Sequence, residues 1–191
     1  MTAAQLLHAG KARNIGEAIV QARGLLDELA SPSFATVRKH LEAISQASIG
    51  MAAWQDDRLR RLEALEELLQ TIAYLAGDCT IYVTGRSAEG RIDQTDSASI
   101  RVVGVDSPSM LMDALEAHGF PPMEVSSLAT LLGSMTVAQV QDGMLDARLL
   151  FLPDVPAAHL AKRIADDRPV AIVGLEAFSE HIENFRSTTA P

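Results

Sequence analysis

Between Ile81 and Val105 the chain reads IYVTGRSAEGRIDQTDSASIRVVGV. A β-branched run ends at Gly85, a polar loop follows, and a second apolar run starts near Ala98. Residues of these types in this order can hold a phosphate. Glycine at a strand end lets backbone come close to an anion. Loop N–H groups and the hydroxyls of Ser87, Ser97 and Ser99 can form an anion nest, while Arg86 and Arg91 supply positive charge. Phosphoryl transfer would ask for a divalent cation as well. Two aspartates one residue apart on the second strand would share a face and bind Mg²⁺ through oxygen, and the metal would stabilise the transferring group. No two acidic residues of this chain are separated by a single residue, so that arrangement is absent from its whole length.

Other chemistry finds less support. His8, His40, His118, His159 and His181 show no metal-ligand spacing. The hydrolase elbow G-x-S-x-G is missing, and the stretch from Gly85 to Gly90 departs from it by one residue. Cys79 is the single cysteine, which excludes an intrachain disulfide and a cysteine zinc site and fits a reducing compartment. It reads as a small buried hydrophobe at the head of a strand. The net charge of −9 argues against a nucleic-acid backbone as partner. Arg58, Arg60 and Arg61 read as a solvated helix face. The N-terminal apolar patch lacks the basic start of a secretory signal, and no apolar run is long enough for a membrane span. A cytoplasmic location is the expectation.

The elements that must position the loop can be read from periodicity. The first 76 residues read as helices. Asn14 and Glu17 form a capping box ahead of a stripe of Ile15, Ala18, Ile19, Ala22, Leu25, Leu26 and Leu29. Ser31-Pro32-Ser33 breaks the chain, and Ser33 caps a second helix bearing Phe34, Val37, Leu41, Ile44 and Ile49. After Gly50 a third helix runs from Met51 to Ala76, with Leu62, Leu65, Leu68, Leu69, Ile72 and Leu75 on one side, and Gly77 ends it. Strands are expected at Cys79–Thr84 and Ala98–Val105. A helix opens at Ser107-Pro108 and runs through Ala117. Met123–Val125 reads as a short third strand. Helices are expected at Ser127–Leu132, at Val137–Leu152 behind a Thr136 cap, at Ala157–Asp166 and at Leu175–Phe185. Val170–Val173 reads as a strand or a helix start, and Ser187–Pro191 as a frayed end.

The loop and its flanks resemble the bacterial nucleotidyltransferase-like proteins whose motif runs T-G-S-x-A-R-x-E, then S-D-x-D and an apolar strand. Thr84-Gly85 stands for the opening pair, Ala88 for the alanine and Ile100–Val103 for the strand. Gly119-Phe120-Pro121-Pro122, Leu128–Gly133 and Asp146–Leu152 follow in the family's order, so the resemblance covers Ile81 to Leu152. It implies that the two metal-binding aspartates fall on Ser97 and Ser99. The motif's serine becomes Arg86, and its Arg and Glu become Glu89 and Arg91. Asp93, Asp96, Asp106 and Glu124 are the nearby acids that could substitute for the lost pair.

These readings together give an α/β chain. A nucleotidyltransferase-like mixed sheet of three to five strands, flanked by helices, occupies residues 77–191, and a helical segment occupies residues 1–76. The expected function is a catalytically inactive regulatory or binding module. It would bind a nucleotide at Gly85, Arg86, Ser87, Arg91, Ser97 and Ser99, or a protein partner or second copy, with no metal cofactor. The alternatives are an active transferase with an atypical Mg²⁺ site, and a helical protein-interaction scaffold.

Overall fold

The computed structural model describes residues 2–26, 32–93, 96–162 and 168–189. Its contacts separate two compact units, Met1–Asp57 and Arg58–Pro191, so the division falls inside the third long helix rather than at that helix's end.

The first unit is helical. α1 (Ala3–His8) is closed by a reciprocal cap between Thr2 and Gln5. α2 (Ile15–Leu26) starts where Asn14 accepts from the Glu17 N–H at 2.9 Å. The Glu17 carboxylate reaches back to the Arg13 N–H, one residue upstream of the expected cap. Ser33 caps α3 (Phe34–Ile49). Ile15, Ala18, Ile19 and Ala22 bury one stripe of α2 against α1 and against Val37 and Leu41 of α3. Phe34 and Ile49, expected on the α3 stripe, are exposed. Leu29 and Ser31 lie outside the described residues, as do the side chains of Leu25 and Leu26.

The second unit is built on one mixed sheet. After α4 (Met51–Ala76) come β1 (Thr80–Thr84), β2 (Ser97–Val103), α5 (Pro108–Ala117), β3 (Pro122–Thr130), β4 (Gly133–Asp142), β5 (Leu145–Leu152), α6 (Ala157–Leu160), β6 (Ile172–Gly174) and α7 (Leu175–Thr189). The strand order is β3-β4-β5-β2-β1-β6. β2 and β5 are parallel and all other neighbours antiparallel. β1 and β2 fall where β-branched residues put them. The sheet has six strands rather than three to five, because residues expected to be helical are extended.

That is the main correction. Ser127–Leu132 lies in β3 and the turn after it, and Val137–Leu152 forms most of β4 and all of β5. Thr130 pairs with Gly133 and Asp142 with Leu145, so two tight hairpins join the three strands. Thr130 Oγ1 donates to the Gly133 carbonyl at 2.7 Å and accepts from the Leu132 N–H, which closes the first turn locally. Gly143-Met144, with glycine at the first turn position, is a hairpin signal present in the sequence. The expected helix at Ala157–Asp166 is described only as the single turn of α6, and residues 163–167 lie outside the described residues. Ser187–Thr189, expected to fray, continue α7.

Alternation along the strands separates two faces. Ile81, Val83, Ala98, Ile100, Val102, Ala147 and Leu149 point to one side, where Leu62, Leu65, Leu68, Leu69 and Ile72 of α4, Leu111 and Leu115 of α5, and Phe178 and Ile182 of α7 cover them. Cys79, half-buried rather than buried, packs at the margin of this core, and desolvation pushes its thiol up. The opposite face carries a smaller cluster of Val103, Met135, Val137, Leu150, Leu152 and Leu160. Arg101 is buried beneath it, donating to the Leu160 and Lys162 carbonyls and so fastening the α6 region to the sheet. Arg101→Met keeps the apolar stem but leaves both carbonyls without their charged donor. The expected loss is about 2 kcal/mol of stability, read as a lower urea midpoint with an unchanged slope.

Candidate functional site

β1 and β2 pair with Thr84 opposite Ser99, so the expected phosphate loop is a connection between neighbouring antiparallel strands. Gly85 opens it with φ 72°, a left-handed conformation that favours glycine. A Cβ at this position would meet open space, so the backbone angle explains the residue better than crowding does. The Gly85 N–H donates to the Ala171 carbonyl at 2.8 Å, just ahead of β6. The strand-end amide is therefore engaged within the fold. Gly85–Glu89 form a 3₁₀ turn in which Ser87 is 3% exposed, with Ala88 buried beside it.

The charges of the loop serve the loop. Arg86 Nε lies 3.2 Å from Asp96 Oδ2, and its Nη2 lies 3.6 Å from Asp93 Oδ2. Asp96 is only 8% exposed. Two acids weighed as substitute metal ligands thus hold a guanidinium. Arg58, expected on a solvated face, donates to the Gly90 carbonyl at 2.8 Å and stacks 5.0 Å over the Phe185 ring. Arg61 donates to the Met144 carbonyl in the β4–β5 turn at 2.6 Å. Arg91 is exposed.

Ser97 and Ser99 stand on the same face of β2, the face opposite the helical core, and their hydroxyl-bearing side is open. Thr84 lies across from Ser99 on β1 and donates to the Ser99 carbonyl at 3.2 Å. On the other flank the parallel register sets Asp146 beside Ser97 and Arg148 beside Ser99. Ser97 Oγ donates to Asp146 Oδ1 at 3.3 Å, and Gln139 Nε2 donates to the same carboxylate at 3.1 Å. The polar end of this face is therefore made of Thr84, Ser97, Ser99, Asp146, Arg148 and Gln139.

Sequence reading missed Asp146, Arg148 and Gln139 as site residues, because it placed all three on one helix. The alternation in LDARLLFL could have exposed two of them. Asp106 lies past the far end of β2, and Glu124 sits on β3, three strands from Ser99. Among the described residues no three His, Cys, Asp or Glu side chains gather into a metal-binding group.

No protein-family model matches the chain, and no curated protein matches it. Among solved structures it is similar to Cid1 in complex with the UTP analog UMPNPP, with 14% identity and a TM-score of 0.38. It is also similar to a cytoplasmic RNA terminal U-transferase (16%, 0.38) and to the GLD-2/RNP-8 complex (14%, 0.36). Each match covers 50% of this chain. The chain spans 31%, 31% and 37% of those three chains respectively.

Proposed function

We propose that this chain is a nucleotidyltransferase-like protein that binds a nucleotide through its phosphates without transferring it, and so works as a regulatory or binding module. One observation carries the reading. Where the resemblance places a pair of metal-binding carboxylates, β2 presents Ser97 and Ser99, and the carboxylate across from Ser97 on β5, Asp146, already accepts from Ser97 and Gln139. Two neutral hydroxyls and one hydrogen-bonded carboxylate fit Mg²⁺ poorly, since that ion binds through carboxylate and phosphate oxygen in strict geometry. The residues that remain can bind an anion: serine hydroxyls as donors and an arginine in the same row.

Asp146 also favours a second reading. A carboxylate one strand from Ser97 can complete an atypical metal site if the ligand's own phosphates supply the other oxygens. Calorimetric titration with ATP and with GTP, each with and without Mg²⁺, separates the two. The module reading expects equal affinity in both conditions and no radiolabel transfer to protein or small-molecule acceptors. Tight binding that requires Mg²⁺, together with label transfer, would establish the enzyme. Absence of any nucleotide binding would overturn both and leave a protein-interaction scaffold.

A further inference from the structure

We propose that Arg148, rather than Arg86, receives the ligand's phosphate, and that the site is a cation-independent polyphosphate subsite formed by Arg148 with Ser99 and Ser97. This rests on the reading that the open face binds a nucleotide, and it names the charge that would do so.

Three features lead to this assignment. Arg86 is already neutralised, with Asp96 and Asp93 on its guanidinium. A phosphate arriving there would have to displace a buried carboxylate. Arg148 is exposed on the open face, and no carboxylate among the described residues pairs with it. Its register partner on β4 is Gln139, whose amide turns instead to Asp146. Lastly, Arg148 and Ser99 are direct neighbours on parallel strands, about 4.8 Å apart at the backbone. A guanidinium fork and a hydroxyl at that spacing can donate to oxygens of one phosphate, with charge-assisted bonds from the arginine. The alternation that makes the row also sets Asp146 two residues away on the same face. Its negative charge opposes an anion there, so the subsite is expected to bind moderately.

The test uses inorganic tripolyphosphate and ATP in excess chelator, titrated into the full chain and into single variants. Arg148→Thr removes the charge while keeping a strand-favouring residue, and it is expected to weaken both ligands at least about tenfold. Arg148→Lys should weaken them less, because it keeps charge but loses the fork. Asp146→Asn should tighten both, and Arg91→Ala, which removes the exposed arginine of the loop, should weaken both less than Arg148→Thr does. Wild-type affinity in Arg148→Thr, or a larger loss in Arg91→Ala than in Arg148→Thr, would overturn the assignment while leaving the nucleotide-binding reading in place. A wild-type chain that binds neither ligand would defeat the reading itself, and the subsite with it.

Discussion

Replacing Ser97 and Ser99 together by aspartate is expected to give the chain a divalent-cation site. Both positions lie on one face of β2, and Asp146 is the register partner of Ser97 on the adjoining strand. The double variant Ser97→Asp/Ser99→Asp would therefore gather three carboxylates within neighbouring strand positions, about 4.8 Å from one backbone to the next. Without metal, three like charges in so small a space repel, and the variant should be less stable than the parent. With Mg²⁺ the sign reverses. A ligand that binds only the folded state stabilises by about 2.7 kcal/mol when present at a hundredfold over its Kd. Urea denaturation with and without Mg²⁺ reads this directly. The midpoint of the double variant should rise with the metal, and that of the parent should stay where it is. If the variant gained nothing from Mg²⁺, the face of β2 would not be the scaffold of a metal site, and the correspondence of Ser97 and Ser99 with metal ligands would be lost.

The second large effect concerns the helix that closes the sheet. Phe178 is 0% exposed on α7, and Leu175, Phe178 and Ile182 share one stripe of that helix. They pack in the same cluster as Leu65, Leu68, Leu69 and Ile72 of α4 and Val83, Ile100 and Leu149 of the sheet. Phe178→Ala removes a whole ring from a filled interior, so lost transfer energy and an incompletely collapsed cavity add together. The expected cost is about 3–5 kcal/mol, a large share of the roughly 5–15 kcal/mol that holds a typical domain together. Arg58, which stacks on Phe185 of the same helix, ties the β1–β2 loop to it. The variant should accordingly loosen the loop as well, seen as faster hydrogen exchange at Gly90 and Arg91 under conditions where the chain is still folded. A cost below about 1 kcal/mol would be that of a surface position, and would mean that α7 does not close the core.

What could be read from the sequence depended on how local the determining physics was. The α4 stripe from Leu62 to Ile72 repeats at helical spacing over several turns, and every residue in it is buried. β1 and β2 announced themselves through β-branched residues beside a polar loop with two glycines. The hairpins of residues 122–152 did not. Val137, Ala138 and Val140 satisfy a helical and an extended reading almost equally, and what decides is turn chemistry at Thr130–Gly133 and Asp142–Leu145, together with pairing to β2, which is far away in the chain. This one misassignment hid half of the candidate site, because Asp146, Arg148 and Gln139 come together only once β4 and β5 are strands. Arg86 shows the converse limit. Its charge is visible in the sequence, but its engagement by Asp93 and Asp96 depends on how the loop folds back on itself.

Adding Mn²⁺ to the unmodified chain and following water-proton relaxation tests the central point most directly, because a bound paramagnetic ion announces itself without any assumption about substrate. With hydroxyls at Ser97 and Ser99, the expected result is no enhancement beyond that of free Mn²⁺. A strong enhancement that disappears in Asp146→Asn would show a cation held on this face after all, and would contradict the metal-independent account.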